Sequence, residues 1–373
     1  MVSRVMLIAG EPSGDLHGAG LVRELKKRKP YLEVYGVGGD GMAGAGMELI
    51  FHIRDLSFMG FAEVLKHLPT IRKVRQTLLD VVASRKPDVL ILIDYPGFNL
   101  RFARKAKARG IRILYYISPQ VWAWGKARVP RMEGVVDKMF VVFPFEVDIY
   151  REAGIEVEFV GHPLLEVVGK LERADGFRER FGISKGKKLL ALLPGSRVQE
   201  VERILPVMAE AASVLKNEFQ CEVAVGVAPN SEEDLYRRLL GSSSSIHLVS
   251  GATYDLMRNS ELAFVTSGTA TLETACFGTP MIVVYRTSFP TYWIGRALIT
   301  LKTIALVNIV AGRQIVPELI QGKMTPENLI HEARWILRDA AVAQQMRTEL
   351  LAVRGKLGTP GASARVAEEV LHA

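Results

Sequence analysis

The sequence contains few of the residues that build disulfide or metal frameworks. Its 373 residues include two cysteines, Cys221 and Cys276. Two cysteines provide neither a disulfide framework nor a cysteine-rich metal site, which favours a reducing environment. No segment reaches the roughly 18 uninterrupted apolar residues that a membrane-spanning helix requires, and the apolar run near the start is too short for a signal peptide. We therefore expect a cytoplasmic protein without a transmembrane helix.

Metal-binding and nucleic-acid-binding signals are also scarce. No Asp-x-Asp pair occurs, although many metal-dependent nucleotide-sugar transferases use such a pair to hold Mg²⁺ or Mn²⁺ on a diphosphate. We expect no metal and no cofactor. The formal net charge of +8 is compatible with nucleic acid, an anionic membrane or anionic small molecules. Because no nucleic-acid-binding motif accompanies that charge, we expect no nucleic acid partner.

Short apolar strands alternate with Gly-rich turns and amphipathic helices, and this pattern occurs twice. Continuous apolar strands separated by helices indicate parallel sheets covered on both faces. The predicted fold class is α/β, with two doubly wound Rossmann-like domains facing a central cleft. The expected limits are 1–163 for an N-terminal domain, 164–345 for a C-terminal domain, and 346–373 for helices that pack back toward the first domain. The predicted strands are 5–9, 34–37, 89–93, 113–117, 139–142, 189–193, 222–228, 246–249, 262–266 and 281–284.

The turn after the first strand is glycine-rich and acidic. It contains Glu11, Ser13, Gly14 and Asp15, and it opens a helix that includes His17. It lacks the Gly-x-Gly-x-x-Gly spacing, and its carboxylates would repel a pyrophosphate, so sugar hydroxyls are better partners. The alternative is a simple strand-to-helix turn in which Ser13 or Asp15 caps the helix.

Two turns in the second half have features of phosphate sites. Residues 193–197 end a strand with Gly195, Ser196 and Arg197, and an arginine there suits a diphosphate. Residues 266–273 run from a strand through Ser267, Gly268 and Thr269 into a helix that bears Glu273. Backbone amides at a helix start bind phosphate, and a carboxylate one turn later suits a ribose. A capping box formed by Thr269 or Ala270 with Glu273 is the alternative.

A carboxylate and an aromatic loop follow two adjacent predicted strands of the first half. Asp94 directly follows the buried strand 89–93, at a strand end where open α/β sheets place their ligands. It is a candidate general base, or alternatively a cap for the helix predicted over 99–109. The next strand leads to Gln120, Trp122 and Trp124, which form either a sugar platform or a packing cluster.

Together these strings resemble the lipid-A-disaccharide synthase family (glycosyltransferase family 19) over nearly the whole chain. The resemblance rests on residues 10–18, 36–39, 59–60, 94–99, 118–124, 193–197 and 267–273. It implies an inverting GT-B enzyme that transfers 2,3-diacylglucosamine from UDP-2,3-diacylglucosamine to 2,3-diacylglucosamine 1-phosphate (lipid X). The expected products are UDP and the β-1,6-linked lipid A disaccharide 1-phosphate. A UDP-sugar 2-epimerase of the same architecture is the alternative.

The resemblance also implies roles for individual residues. Asp94 is the expected base, with His17 as the other candidate and Glu11 beside them. The expected acceptor contacts are Ser13, Gly14, Asn99 and Gln120. The expected UDP contacts are Gly195, Ser196, Arg197, Ser267, Gly268, Thr269, Glu273 and Asn308.

An apolar series with interleaved basic residues suggests a membrane-facing segment. Because both substrates carry acyl chains, we expect peripheral association with the inner face of the cytoplasmic membrane. An ordinary amphipathic helix packed on the sheet is the alternative. A homodimer is a further possibility. The predicted membrane contacts are Phe61, Val64, Leu65, Leu68 and Ile71.

Overall fold

The computed structural model describes residues 2–55, 68–122, 126–171, 175–229, 231–241, 245–287 and 303–373. The chain forms two compact units. Unit 1 ends at Glu166 and is rejoined by Leu357–Ala373, whereas unit 2 comprises Val167–Lys356. The first boundary lies close to the predicted residue 163, and the second lies beyond the predicted residue 345.

Unit 1 is built on a parallel sheet with the order β3-β2-β1-β4-β5-β6-β7 across its described strands. The strands are β1 Arg4–Ala9, β2 Glu33–Gly38, β3 Glu48–His52, β4 Val89–Ile93, β5 Arg112–Tyr116, β6 Lys138–Val141 and β7 Val157–Phe159. The helices are α1 Pro12–Arg28, α2 Asp40–Gly44, α3 Leu68–Arg85, α4 Pro96–Lys107, α5 Glu146–Arg151 and α6 Leu164–Val168, with 3₁₀ turns at Ile53–Asp55 and Lys126–Arg131.

Unit 2 repeats this architecture with the strand order β10-β9-β8-β11-β12-β13 in its described part. The strands are β8 Leu189–Leu193, β9 Glu222–Val227, β10 His247–Ser250, β11 Leu262–Thr266, β12 Met281–Tyr285 and β13 Glu318–Ile320. The helices are α7 Phe177–Arg180, α8 Val198–Phe219, α9 Glu233–Leu240, α10 Thr253–Arg258, α11 Thr269–Cys276, α12 Leu306–Ala311, α13 Pro326–Arg338 and α14 Ala340–Lys356, with a 3₁₀ turn at Gln321–Lys323.

The central strands are buried on both faces, as their continuous apolar sequences predict. All five residues of β4 and of β8 are buried, and parallel pairing joins β1 to β4 and β8 to β11. In both units the strand order reverses between these two central strands. Ligands of open α/β sheets bind at the carboxyl ends of the strands on either side of such a reversal. The doubly wound α/β fold class is therefore confirmed for each unit.

The last helix, α15 (Ala362–Leu371), packs on α1 in unit 1. The buried Nζ of Lys138 lies 2.6 Å from a carboxylate oxygen of Glu369, and Arg365 donates to the carbonyl of Val160 at 2.7 Å. By contrast, Met346 and Leu350 of α14 are buried in unit 2. The chain therefore rejoins unit 1 at Leu357, later than the predicted residue 346.

Candidate functional site

In unit 1, the turns after β1 and β4 meet at the point where the strand order reverses. Glu11 occupies the N-cap position of α1 without capping it through its side chain. A Cβ atom placed on Gly10 would lie 2.2 Å from the ring of Tyr95, so only glycine allows this approach. The exposed Glu11 and the half-buried Asp94 are thus brought to the same edge of the sheet.

The carboxyl group of Asp94 is suited to accept a proton near neutral pH. Burial, followed by the negative charge of Glu11, raises the pKa of Asp94 to about 6, against a backbone hydrogen bond from Tyr95 that lowers it. The predicted alternative, in which Asp94 caps the following helix, is wrong because Tyr95 holds the N-cap position of α4. A carboxylate with this pKa is ionised at neutral pH and is a stronger base than an ordinary aspartate.

His17 is a weaker base in this structure than an ordinary histidine. Burial lowers the pKa of His17 to about 4. Its ring lies edge-on to that of His162, with 6.2 Å between the ring centroids. His162 is itself buried, and its Nδ1 accepts from the Leu164 amide at 3.1 Å. Between the two candidate bases, this comparison favours Asp94.

Asp15 has a structural role rather than a helix-capping role in α1. Its carboxylate accepts from the backbone amides of Gly39, Gly41 and Met42 at 2.6, 2.9 and 3.0 Å. Residues 36–41 have the Gly-x-Gly-x-x-Gly spacing, which the sequence analysis missed. Because an internal carboxylate already occupies those amides, this loop is not a dinucleotide site.

The predicted acceptor contacts separate into exposed and buried positions. Ser13 and Gln120 are exposed. Gly14 is buried, and a Cβ atom there would lie 3.3 Å from that of Ala9, so we assign it a packing role. Asn99 is fully buried, and its Nδ2 donates to the carbonyl of Asp94 at 2.8 Å. The Asn99 side chain therefore supports the Asp94 turn, and its contact with an acceptor stays a prediction.

Glu146 organises the loop after β5, a role the sequence analysis missed. Its buried carboxylate accepts from Ser118 Oγ at 2.6 Å, Trp122 Nε1 at 3.0 Å and the Phe143 amide at 3.0 Å. Burial raises the pKa of Glu146 to about 7 even though these hydrogen bonds lower it. Trp122 packs edge-on to Phe143, which supports the packing-cluster alternative for this residue. Trp124 lies outside the described residues.

In unit 2, the turns after β8 and β11 likewise flank the reversal of strand order. Gly195 has φ 109°, and Ser196 is exposed. Arg197 is at the N-cap position of α8, with 55% of its side chain exposed, and its Nη1 lies 2.9 Å from Glu200 Oε1. The Gly195–Arg197 turn therefore presents a guanidinium at the start of α8, after the strand that pairs with β11.

In the segment before α11, the amide and the hydroxyl of Ser267 both have hydrogen-bond partners within the protein. Gly268 is the N-cap residue of α11 and Thr269 is the first helical residue. The Ser267 amide already donates to Val284 at 2.9 Å, and its hydroxyl donates to the carbonyl of Ile304 at 3.0 Å. The Ser267 amide is therefore already engaged, whereas the amides of Gly268 and Thr269 stay predicted phosphate contacts.

Glu273 does not form the capping box considered as its alternative. It lies beyond the third position of α11, and its Oε1 accepts from the hydroxyl of Tyr254 at 3.0 Å. Burial raises the pKa of Glu273, whereas the hydrogen bond from Tyr254 lowers it. The side chain is thus oriented by a tyrosine that sequence reasoning had not identified.

Asn308 supports a loop rather than presenting its amide to a ligand. The side chain is fully buried. Its Oδ1 accepts from the Ile315 amide at 2.8 Å, and its Nδ2 donates to Glu318 at 2.7 Å. Glu318 in turn accepts from the Ile304 amide at 3.0 Å, next to Ser267. This side chain therefore supports the loop through Glu318, and its contact with the nucleotide stays a prediction.

The predicted membrane segment is only partly described. Phe61, Val64 and Leu65 lie outside the described residues, as does the side chain of Leu68. Ile71 packs partly against the core of unit 1, which contradicts a purely membrane-facing role for it. Within the described ranges, no helix combines the length and apolar character needed to cross a membrane.

Comparisons with known proteins distinguish between the two predicted activities. The model of the family described as lipid-A-disaccharide synthetase matches residues 5–364. The lipid-A-disaccharide synthase of Myxococcus xanthus is 45% identical over 371 residues, covering 99% of this chain and 97% of that protein. That of Syntrophus aciditrophicus is also 45% identical, covering 97% of this chain and 96% of that protein.

Similarity to solved structures supports the predicted GT-B fold. A UDP-GlcNAc 2-epimerase from Neisseria meningitidis aligns with a TM-score of 0.68 at 15% identity, covering 99% of this chain and 100% of that one. The calicheamicin glycosyltransferase aligns with a TM-score of 0.66 at 14% identity, covering 100% of this chain and 98% of that one. Such low identities establish the fold alone, so the epimerase alternative gains no support from them. The chain belongs to the lipid-A-disaccharide synthetase family.

Proposed function

We propose that the chain transfers 2,3-diacylglucosamine from its UDP derivative to 2,3-diacylglucosamine 1-phosphate, releasing UDP and a β-1,6-linked disaccharide 1-phosphate. Family membership supports this reaction. The observation that carries it is the pair of polar turns at the strand reversals: a proton-accepting carboxylate in unit 1 and a guanidinium beside a helix start in unit 2. These are the two functions that a displacement at an anomeric carbon requires.

The proposed chemical step uses Asp94 as the general base. Its carboxylate takes the proton from the acceptor's 6-hydroxyl while that oxygen attacks the anomeric carbon of the donor sugar. The bond from that carbon to the UDP oxygen breaks on the opposite face, so one displacement inverts the configuration. A pKa of about 6 keeps Asp94 ionised at neutral pH and increases its basicity. Glu11 raises that pKa and is available to hydrogen-bond an acceptor hydroxyl.

The proposed donor site assigns the nucleotide to unit 2. Glu273 accepts from the ribose hydroxyls, with Tyr254 fixing its orientation. Arg197 and the amides of Gly268 and Thr269 neutralise the diphosphate as negative charge develops on it. Asn308 and Glu318 keep the segment around Ile304 against Ser267 and thereby shape the turn. We propose that no metal is needed for these steps.

We also propose that the protein binds the inner face of the cytoplasmic membrane, where its acylated substrates reside. From Leu68 to Arg131 the sequence has 14 lysines and arginines against three aspartates, a local excess of +11 in a chain of net charge +8. The neighbouring helices α3 and α4 expose part of this charge through Arg72, Lys73, Arg101, Arg104 and Lys105. Each basic residue near an anionic leaflet contributes about 1 kcal/mol of attraction.

The reaction is tested by incubating the protein with both lipid substrates and following the products by mass spectrometry. We expect a disaccharide 1-phosphate and one UDP for each disaccharide formed. Incubation with the UDP-sugar alone should leave it unchanged. A C2 isomer of the donor in that control, with no disaccharide in the complete mixture, would support the epimerase alternative instead.

A further inference from the structure

The backbone of the Asp94 turn adopts a conformation that is uncommon for residues with a Cβ atom. Asp94 and Tyr95 are consecutive non-glycine residues in the left-handed region, with φ 44° and 49°. Ile117, which follows the neighbouring strand β5, also has a positive φ, 62°, although it is β-branched. Side chains with a Cβ atom are crowded in this region, so such residues persist only where the surroundings hold them. The surroundings of Asp94 must therefore hold its backbone in this conformation.

Two buried side chains converge on the carbonyl oxygen of Asp94. The hydroxyl of Tyr115 donates to it at 2.6 Å, and Nδ2 of Asn99 donates to it at 2.8 Å. Both donors are completely buried, one on β5 and one on α4. The Asp94 amide also donates to the Tyr116 carbonyl at 3.3 Å. The orientation of this peptide group is thus fixed from inside unit 1.

Rotation of that peptide group would move the carboxylate. The direction of the Asp94 carbonyl depends on the ψ angle of that residue. The two donors reach the carbonyl oxygen only when the turn has its present shape. If the hydroxyl of Tyr115 were missing, one buried hydrogen bond would be lost and the crowded backbone could relax toward a more common conformation. Placement errors of about 1 Å at a reacting group cost on the order of 10²-fold in rate.

We propose that Tyr115, together with Asn99, is a positioning residue for the transfer reaction, holding the Asp94 backbone in the left-handed conformation that aims its carboxylate at the acceptor. This inference rests on the proposed function, because it assumes that Asp94 is the base. Tyr115 itself touches no reacting atom. Its hydroxyl acts only through the peptide group of Asp94.

The chain offers a matched control one residue away. Tyr116 is also fully buried on β5, but its side chain lies on the other face of the sheet, where its hydroxyl is close to Ser363 of α15. Tyr115→Phe and Tyr116→Phe therefore each remove one buried hydroxyl from the same strand. Only the first removal affects the Asp94 carbonyl.

We expect Tyr115→Phe to lower kcat by about 10- to 100-fold, with KM for both substrates within about twofold. Tyr116→Phe should keep its kcat within about twofold of wild type. The acid limb of the kcat/KM profile should also move to lower pH in Tyr115→Phe alone, because a relaxed turn exposes the carboxylate to water and lowers its pKa. Equal kcat values and unshifted acid limbs in the two variants would overturn the inference.

A second variant and a structural measurement keep the inference testable if Tyr115→Phe does not fold. Asn99→Leu removes the other donor with little change in side-chain volume. It should lower kcat while KM for both substrates stays within about twofold. A crystal structure of either variant should show Asp94 outside the left-handed region, and an unchanged φ would refute the role. Failure of the proposed function is distinguishable, because Asp94→Asn would then retain normal turnover in the same assay.

Discussion

Replacing Asp94 by asparagine should change activity and stability in opposite directions. Burial and the charge of Glu11 raise its pKa to about 6 in the folded chain, from 3.8 as the ordinary value. Folding therefore favours the protonated carboxyl group. The free energy of unfolding should fall as the pH rises from about 4 to 6 and remain reduced above that range.

The size of this effect follows from the shift. A rise of two pKa units corresponds to about 3 kcal/mol of differential interaction. Asp94 keeps partial access to water, which screens its charge, so we expect about 1–2 kcal/mol. Asparagine has no charge to desolvate, and like aspartate it tolerates the left-handed backbone. The variant should therefore be more stable than wild type at pH 8, by about 1–2 kcal/mol.

Urea denaturation at pH 8 and pH 4.5 measures this difference directly. The advantage of Asp94→Asn should shrink to less than half at the lower pH, where the wild-type carboxyl group is protonated in the fold. Asp148→Asn, at an exposed aspartate of α5, should show little change at either pH. Turnover of Asp94→Asn should fall by about 10²–10⁴. An Asp94→Asn protein that is less stable than wild type at pH 8 would refute the reasoning.

Four further predictions concern the nucleotide, metals and the membrane. Arg197→Ala should weaken UDP binding several-fold or more in calorimetry, since a hydrogen bond to a charged group is worth about 1.5–3 kcal/mol; an unchanged affinity would contradict the donor site. Glu273→Gln should weaken UDP binding similarly by removing the ribose acceptor. Transfer should survive EDTA, and turnover lost in chelator but restored by added metal would contradict the proposed step. Replacing Val64, Leu65 and Leu68 by serine should release the protein from anionic liposomes while leaving UDP binding intact, and unfolding of that variant would instead place these side chains in the core.

The central strands were predictable from the sequence, whereas three of the four edge strands were not. β4 and β8 are continuous apolar runs because both of their faces are covered. The missed strands β3, β7 and β13 lie at sheet edges and are only partly buried, so their sequences carry charged residues and no clear periodicity. Gly14 and Gly18, in the first turns of α1, are poor helix formers that here permit close packing.

A residue type and a strand end together pointed to Asp94 and to the Gly195–Arg197 turn, and their roles stay predictions. The sequence did not indicate that the amides of Asn99 and Asn308 bind the protein's own backbone. A buried asparagine that holds a turn and an exposed one that holds a ligand look alike in a sequence. Likewise, nothing in the sequence showed that Tyr115 and Tyr254 each hydrogen-bond a site residue, because both partners are distant along the chain.

The return of Leu357–Ala373 to unit 1 has a consequence for biosynthesis. A ribosome completes the first seven strands long before it makes α15, and all of unit 2 is translated in between. Until then, the face of α1 that α15 covers stays open, and Lys138 lacks its carboxylate partner Glu369. The N-terminal half of the nascent chain therefore cannot reach its final packing during its own synthesis. A nonsense mutation that removes only these last residues should leave unit 1, rather than unit 2, as the target of cellular proteases.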